Sequence, residues 1–375
     1  MDLRDRLAEL AHIESPPTAV VSVYLKTRWA DEHARDRARI FLKNELRQAR
    51  DAGGRGAHAS DLDWVETEAA KLIEQARFPD AHGVALFACQ GISLREVLAV
   101  RVPFEDRVVI AAAPFLLPLT AVVEAAPASL VVFVDTEHAR LVPIDATGPG
   151  TEVVLEAEVP GRHSRGEWAQ LAQSRYQRHI QDHRDRHFDA VAQSLVSLAD
   201  AHGVEHIVLA GEPRNVAVFR MSLPPRVAQK IAGTIEGARY EPAAAFVARA
   251  SELVRHVEAQ RQGDVLEAAL TDAAKGGQAV AGVDDTLDAI NRGAVHRLFL
   301  AKSFASPGHA CTGCEALVAG TRADCRFCGR ATSPVELEHA MSRRVLAAGG
   351  RVEVVDEHAG LTRAGGVAAL LRYPR

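Results

Sequence analysis

Apolar residues recur along this chain with two periods, alternate positions in some segments and helical spacing in others. Runs such as VVSVYLKT and HIVLAG predict buried strands, whereas the segments 31–52 and 61–76 predict amphipathic helices. Strands and helices mixed in this way are typical of α/β proteins, and we predict three domains with a linker around Pro114 and Pro118. The predicted domains are a mixed α/β N-terminal domain over 1–116, a middle domain over 117–262 and an α/β/α sandwich over 263–375.

The middle domain begins with a predicted β-hairpin, ASLVVFVDTEHARLVPI, whose turn falls on Asp135 to His138. The strand TEVVLEAEV then leads into a loop, which a helix follows from about residue 167 to Asp200. We expect a helix over 242–262 to close this domain, and a separate helix to begin the third domain near Gly263. Hairpin, helix and buried strand in this order predict a sheet with helices packed on it.

A basic loop and helix organise the middle domain, with the sequence GRHSRGEWAQLAQSRYQRHIQDHRDRH over 161–187. The whole chain has a formal net charge of −5, so this positive segment differs from its background. A basic loop feeding a basic helix suits a phosphate backbone, and a solvated helix face beside a surface loop is the open alternative. His179, His183 and His187 share one face and are expected to gain charge below about pH 6.5. The candidate RNA-binding residues are Arg162, His163, Arg165, Gly166, Trp168, Arg175, Arg178, His179 and Arg184.

A second basic segment lies in the N-terminal domain, on the long helix predicted over 31–52. Two hypotheses stay open for it. It is either a second nucleic-acid face or a solvated surface helix with Asp36 and Glu45 as charge partners. Its cations are Arg35, Arg37, Arg39, Lys43, Arg47 and Arg50.

Four of the five cysteines lie in CTGCEALVAGTRADCRFC, as two Cys-x2-Cys pairs separated by ten residues. In a reducing cytoplasm this spacing favours a zinc ribbon over disulfides, and a Zn²⁺ held by four thiolates is structural because no open position remains. Gly313 and Gly329 suit the tight turns of the two knuckles, and the ribbon is expected over 309–330 as an insertion after a strand. The predicted ligands are Cys311, Cys314, Cys325 and Cys328.

The amino-acid composition and the missing motifs indicate a soluble globular protein and argue against several classes of enzyme. With 47% hydrophobic and 25% charged residues, the chain has the make-up of a soluble globular protein. It contains no run of about eighteen apolar residues, so we expect a cytoplasmic protein with no membrane partner. The nucleotide-binding patterns GxxxxGK-S/T and GxGxxG do not occur, nor do GxSxG and HExxH, and the corresponding sites are not predicted.

Three stretches resemble one known family: RGEWAQLAQSRYQRH, INRGAVHRLFLA with the cysteine ribbon that follows it, and AGGVAALLRY. This family comprises the bacterial relatives of archaeal and eukaryotic class 1 release factors and of Pelota, and it includes Balon-type ribosome hibernation factors. The resemblance covers most of 117–375 and implies a release-factor-like middle domain. In the release factors, the loop equivalent to 161–170 carries a Gly-Gly-Gln tip that enters the peptidyl-transferase centre.

The loop tip departs from the pattern of the family. It has the sequence Gly166-Glu167-Trp168-Ala169-Gln170, and two adjacent glycines allow backbone geometries that Glu-Trp-Ala does not readily adopt. Gln170 either takes the role of the family's glutamine or lies on the first turn of the helix. A literal Gly-Gly-Gln occurs at 276–278, but it follows a predicted helix of the third domain and is interpreted as a helix C-cap.

The resemblance implies a ribosome-binding translation factor that occupies the A site and places the basic loop near the peptidyl-transferase centre. Because the tip lacks Gly-Gly-Gln, a hibernation or stress role is favoured over an enzyme. Pelota-type proteins dock beside a translational GTPase, which implies elongation factor Tu as a partner. The alternative is a ribosome-rescue peptidyl-tRNA hydrolase or tRNA-end nuclease that uses Gln170. A third hypothesis is an RNA-binding adaptor unconnected to the A site.

Overall fold

The computed structural model describes residues 3–14, 16–29, 31–52, 58–75, 81–157 and 169–374. The chain divides into two compact units. One, here called the discontinuous unit, combines Met1–Glu124 with Arg261–Arg375, and the other, the middle unit, is Ala125–Gln260. Within the described residues, no helix is both long enough and apolar enough to cross a membrane.

The N-terminal part of the discontinuous unit is an antiparallel four-stranded sheet with the strand order β3-β2-β1-β4. The long helices α2 and α3 cover one face, where Leu42, Leu46 and Val65 pack against strand residues such as Val23 and Leu86. The predicted strand VVSVYLKT is β1, whereas the short run RVVIA of β4 lies between polar segments and gives a weaker signal. The elements are α1 Leu3–Ala11, β1 Val20–Lys26, α2 Glu32–Ala52, α3 Ala59–Gln75, β2 Gly83–Cys89, β3 Leu94–Val100, β4 Arg107–Ala111 and α4 Leu117–Ala125.

The opposite face of this sheet carries an aromatic cluster. The buried ring of Tyr24 makes edge contacts with Phe87, Phe104 and Phe115, whose centroids lie 4.9–6.2 Å away. The Tyr24 hydroxyl donates a hydrogen bond to the Phe115 carbonyl, and the Phe115 N–H donates to Ser22 Oγ at 3.0 Å. Both polar groups of the cluster are therefore satisfied inside the core.

Pro114 lies in an irregular segment and Pro118 in the first turn of α4, so a helix begins inside the segment predicted as a linker. Pro118 is the second residue of α4, where a missing N–H breaks no intrahelical hydrogen bond. Leu119 and Val122 are buried, which fixes α4 to its surroundings. Prolines at the start of a helix give the same sequence signal as prolines in a linker, and the apolar spacing behind them distinguishes the two.

The middle unit is built on a six-stranded sheet with the order β10-β9-β5-β6-β7, in which β8 also pairs with β6. The predicted hairpin is confirmed as the antiparallel pair β5 and β6, and β5, β9 and β10 run parallel. One face packs against α5 and α6, and the other packs against α8. The elements are β5 Ser129–Val134, β6 His138–Asp145, β7 Gly148–Pro149, β8 Val153–Glu156, α5 Ala169–Ala201, β9 His206–Ala210, α6 Pro213–Ser222, α7 Pro225–Ala228, β10 Ile231–Ile235 and α8 Ala243–Ala274.

Helix α8 is one helix of 32 residues, whereas the sequence predicts two helices separated at Gly263. A glycine inside a helix costs only about 1 kcal/mol relative to alanine, which strong helix formers on both sides offset. Phe246 and Val254 pack on the middle sheet, and Leu266 and Ala269 belong to the core of the C-terminal sandwich. The glycine is therefore not a helix end.

The C-terminal part of the discontinuous unit has a sheet of order β11-β17-β12-β16. Residues of α8 and α11 pack on it in one core, and α9 and α10 also contact its strands, so the predicted α/β/α sandwich is confirmed. A small sheet β14-β13-β15 carries the cysteines and follows β12 as predicted. The elements are β11 Ala279–Ala281, α9 Val283–Asn291, β12 Val295–Ala301, β13 Pro307–Cys311, β14 Leu317–Ala319, β15 Thr332–Glu336, α10 Leu337–Ala347, β16 Arg351–Val355, α11 Ala359–Arg363 and β17 Val367–Leu371.

The N-terminal and C-terminal parts of the discontinuous unit touch through α1, α4, α10 and β16. Arg343 pairs with Glu14 at 3.2 Å, and Arg351 pairs with Glu124 at 3.2 Å. The rings of Phe115 and His339 lie 5.3 Å apart between centroids. The division into three folding domains at 116 and 262 stays a prediction.

We predict that Phe219→Ala lowers the free energy of unfolding of the middle unit by about 3–5 kcal/mol, because a fully buried ring leaves a cavity. Urea denaturation followed by circular dichroism measures the decrease. Tyr240→Ala is the matched control, since that ring is 87% exposed and its removal should change the free energy of unfolding by less than about 0.5 kcal/mol. Equal effects of the two substitutions would contradict the core assignment.

Candidate functional site

Four cysteine thiols converge at the end of the small sheet. The sulfur atoms of Cys311, Cys314, Cys325 and Cys328 all lie within 4.8 Å of one another. The Sγ atoms of Cys311 and Cys328 are 3.4 Å apart, and those of Cys314 and Cys325 are 3.6 Å apart. Sulfurs held at about 2.3 Å from one tetrahedral ion are separated by about 3.8 Å, so the spacing fits a single four-thiolate ion.

Backbone amides stabilise the thiolate form of the first cysteine in each knuckle. The N–H groups of Cys314 and Gly313 donate to Cys311 Sγ at 3.4 and 3.3 Å, and they lower the pKa of that thiol to about 6. The N–H of Phe327 donates to Cys325 Sγ at 3.4 Å and lowers the pKa of Cys325. Cys311 and Cys325 are therefore favoured as thiolates, which are the form that binds metal, whereas the pKa of Cys314 is raised to about 12 among the neighbouring thiols.

In both knuckles, the residue that follows the second cysteine has a positive φ. Gly329 has a φ of +71°, as its glycine predicts, and the equivalent residue of the first knuckle is Glu315 with a φ of +58°. Gly313 is not in this conformation, so the turn prediction holds for Gly329 and not for Gly313. A Cβ on Gly313 would lie 2.2 Å from Cδ of Arg330, an exposed and flexible side chain that can move away, so this contact does not require a glycine.

Side chains of α9 and α10 connect the ribbon to the sandwich, among them Asn291, Asp288, which pairs with Arg326, and Arg344, which bonds to Glu315. The amide of Asn291, the last residue of α9, donates to the Leu317 carbonyl at 2.8 Å and accepts from the Leu317 N–H at 2.8 Å. Leu317 and Val318 are buried, whereas Cys314 and Cys328 are exposed. Because all four sulfurs face one another, an ion held there has no open position for a substrate, and its role is structural.

We expect the purified chain to carry about one metal ion per molecule and Cys311→Ser to lose it, since a hydroxyl is a poor substitute for a thiolate. Metal content measured by inductively coupled plasma mass spectrometry tests this. Cys89→Ala is the control, because Cys89 lies buried in β2, outside the cluster. Metal retained equally by all three proteins would contradict the site.

The basic loop lies largely outside the described residues. Arg162, His163, Arg165, Gly166 and Trp168 fall in the segment 158–168, which the structure does not describe. Four further predicted residues belong to the 33-residue helix α5, and the structure describes their backbone. They are Gln170, Arg175, Arg178 and His179.

In the described part of α5, the first buried side chain is that of residue 187. Positions 181–186 are exposed or half-buried, and Phe188, Val191 and Leu195 are buried in the core of the middle unit. Arg184, a predicted RNA contact, pairs with Asp185 at 2.9 Å, and its guanidinium lies 5.8 Å from the centroid of the Phe188 ring. The long helix is thus anchored by its C-terminal half.

His187 is not part of a solvated histidine face, which corrects the prediction for this residue. Its ring is only 5% exposed and lies against the turn of the β5–β6 hairpin. Burial lowers the pKa of His187. This effect outweighs the hydrogen bond to the His138 backbone and the attraction of Asp135, both of which raise the pKa. The side chain therefore stays neutral at a pH where an exposed histidine begins to titrate.

The hairpin turn brings together polar residues that the sequence did not mark as a cluster. Asp135 Oδ1 accepts from the N–H groups of Glu137 and His138 at 2.8 and 2.7 Å. His138 Nε2 lies 3.8 Å from Glu156, and the N–H of Ala157 donates to the Glu137 carbonyl at 2.7 Å. The aspartate at the first turn position is the signal that could have located this cluster.

The literal Gly-Gly-Gln is a helix end, as predicted. Helix α8 stops at Ala274, and Gly276 follows with a φ of +72°. The N–H groups of Gly276 and Gly277 donate to the carbonyls of Ala273 and Asp272 at 3.1 and 3.0 Å. These hydrogen bonds satisfy the last carbonyls of the helix.

We predict that the stability of the middle unit falls as the pH drops below about 6.5, because the unfolded state then binds a proton that folded His187 resists. Each unit by which folding lowers the pKa corresponds to about 1.4 kcal/mol at low pH. Urea midpoints at pH 8 and pH 5 measure the effect, and His187→Gln should reduce the difference. The exposed His256→Gln is the control; a His187→Gln profile parallel to that of the wild type would contradict the assignment.

Residues 114–271 match the model of bacterial archaeo-eukaryotic release factor family 10. Of the three stretches that carry the resemblance, only RGEWAQLAQSRYQRH lies inside this match. No curated protein matches the chain.

Solved structures of archaeal proteins resemble the chain loosely. An archaeal translation termination factor, aRF1, is 17% identical over 99% of this chain and 97% of its own, with a TM-score of 0.28. Pelota from Archaeoglobus fulgidus is 18% identical over 77% of this chain and 79% of its own, with a TM-score of 0.35. A ribosome-bound archaeal Pelota is 14% identical over 99% and 94%, with a TM-score of 0.42.

Proposed function

We propose that this chain, whose residues 114–271 make it a bacterial archaeo-eukaryotic release factor-like protein, binds the ribosome as a translation factor. In this proposal it occupies the A site and directs the segment 161–170 towards the peptidyl-transferase centre. The family match is the observation that carries the proposal, because it covers the basic loop and all of helix α5.

The structure of α5 supports this proposal in physical terms. A loop that must reach an RNA site needs a rigid support, and the core contacts of Phe188, Val191 and Leu195 provide one. Arg175 and Arg178 lie three residues apart on the same helix, in the half that precedes the buried face. Arginines three residues apart project on one side of a helix, which suits neighbouring phosphates.

The altered loop tip favours a protein that occupies the A site over an enzyme that hydrolyses peptidyl-tRNA. The tip keeps one glycine, Gly166, and a glutamine, Gln170, with Glu-Trp-Ala between them. Hydrolysis of peptidyl-tRNA requires groups placed within hydrogen-bond reach of an attacking water, and the changed tip removes the flexible pair of glycines. The proposed role is therefore hibernation or a stress response, with elongation factor Tu as a partner, and an enzyme that uses Gln170 is the alternative.

The four-cysteine centre is inferred to hold zinc. Four thiolates in tetrahedral spacing and a cytoplasmic setting suit Zn²⁺ better than hard, oxygen-preferring cations. The ion would be bound by Cys311, Cys314, Cys325 and Cys328 and would stabilise the ribbon, with no part in chemistry.

Co-sedimentation with purified bacterial ribosomes tests the proposal. The double variant Arg175→Glu, Arg178→Glu should weaken binding by about tenfold or more, because reversed charges repel phosphates and phosphate contacts dominate affinity. Peptide release is assayed in the same experiment on ribosomes that carry peptidyl-tRNA. Stable binding without release is the expected result.

The matched control is Arg255→Glu, a charge reversal at an exposed position of α8 in the same unit. It should leave ribosome binding unchanged. Wild-type affinity in the double variant would contradict the role of α5. Peptide or cleaved tRNA that appears with the wild type and disappears with Gln170→Ala would make the protein an enzyme.

A further inference from the structure

One carboxylate fixes the turn between β5 and β6. Asp135 Oδ1 accepts hydrogen bonds from the N–H groups of Glu137 and His138 at 2.8 and 2.7 Å, and the Asp135 N–H donates to the His138 carbonyl at 2.9 Å. An aspartate that accepts from two amides in this way holds a short turn in one conformation. We call the three residues Asp135, Glu137 and His138 the hairpin clamp.

The hairpin clamp holds the strand that precedes the basic segment 161–187. In the register of β6 and β8, His138 lies opposite Glu156, which is the last residue of β8. The N–H of the next residue, Ala157, donates to the Glu137 carbonyl at 2.7 Å. Ala157 is also the last residue that the structure describes before the basic segment. The clamp therefore fixes the point at which the chain leaves the sheet.

The hairpin clamp also contacts helix α5, at the last residue of the basic segment. The His187 side chain hydrogen-bonds to the backbone of His138, and the two residues are 5% and 9% exposed. Phe188, the next residue of the helix, is buried in the core of the middle unit. The clamp thus holds α5 directly after its exposed or half-buried part, residues 181–186.

The chain between Ala157 and His187 is therefore tied to one turn at both of its ends. A segment whose two ends are held together has fewer accessible conformations than one that is held at a single end. It consequently loses less conformational entropy when it binds a partner. A binding segment also needs supporting residues that keep it within a fraction of an ångström of its productive position, and the clamp is suited to that role.

We propose that the hairpin clamp is the positioning element of the basic segment, with Asp135 as the residue on which it depends. Asp135 acts through other groups, namely the Glu137 carbonyl that holds Ala157 and the His138 backbone that holds His187. It does not contact the ribosome in this proposal. The effect on ribosome binding rests on the proposed function, whereas the connection of both ends of the segment to the turn does not.

Strand β6 has a second turn of the same kind at its other end, and this turn provides a matched control. Asp145 Oδ1 accepts from the N–H groups of Thr147 and Gly148 at 2.7 and 3.2 Å, and from the Thr147 hydroxyl at 2.6 Å. Because β6 has eight residues, the two turns are about 25 Å apart. Asp145→Ala therefore removes the same chemistry as Asp135→Ala from the same unit, at a site remote from the clamp.

Three measurements on the full chain test the proposal: urea denaturation, co-sedimentation with ribosomes, and the rate of tryptic cleavage after Arg162 and Arg165 in the free protein. We expect Asp135→Ala and Asp145→Ala to lower the urea midpoint by similar amounts, because each removes the acceptor of one turn. Only Asp135→Ala should weaken ribosome binding, by about tenfold, and accelerate the cleavage, by about tenfold or more. Asp135→Asn keeps an acceptor oxygen at the turn and should retain the wild-type affinity and cleavage rate.

Equal losses of ribosome binding in the two alanine variants would indicate a general effect of stability and would overturn the proposal. Wild-type affinity and cleavage rate in Asp135→Ala would also overturn it, as would an Asp135→Asn variant that behaves like Asp135→Ala. A wild-type chain that does not bind ribosomes would contradict the proposed function instead. The cleavage rates of the free variants would then decide the role of the clamp.

Discussion

The structure of the middle unit depends on the burial of one half of one helix. From residue 187 onward, α5 places Phe188, Val191 and Leu195 against the sheet, and each such side chain contributes about 1.5–3 kcal/mol when fully buried. The half before residue 187 carries a series of arginines that could not enter that core without a large desolvation cost. The helix therefore joins an apolar anchor to a charged segment, and continuous backbone hydrogen bonds connect the two.

The ribbon illustrates the opposite situation, in which a small element has little core of its own. Its three strands, β13, β14 and β15, have five, three and five residues. The buried cluster at the site consists of Cys311, Ala316 and Cys325, which is too small to hold a fold by apolar burial alone. A metal bound by the four cysteines would supply that stabilisation, and the Asn291 amide connects the ribbon to α9.

Much of this arrangement was predictable from local sequence patterns. The two Cys-x2-Cys pairs, the β5–β6 hairpin and the end of α5 follow from spacing and turn residues alone, because those signals are local. The continuous α8 was not predicted, since Gly263 looks like a helix end until tertiary packing on both sides is known. The burial of His187 and the pairing of Arg184 with Asp185 were also missed. The burial of His187 depends on which side of the helix meets the sheet, and the charged sequence of that region gives no apolar period to show it.

We propose that the loop preceding α5 lies at the peptidyl-transferase centre when the protein is bound to the ribosome. The most direct measurement replaces Trp168 with a photo-crosslinking phenylalanine analogue and maps the crosslinks of the bound protein on ribosomal RNA. The account predicts crosslinks to large-subunit RNA of the peptidyl-transferase centre. Crosslinks confined to other ribosomal sites, from a protein that still co-sediments with ribosomes, would contradict it.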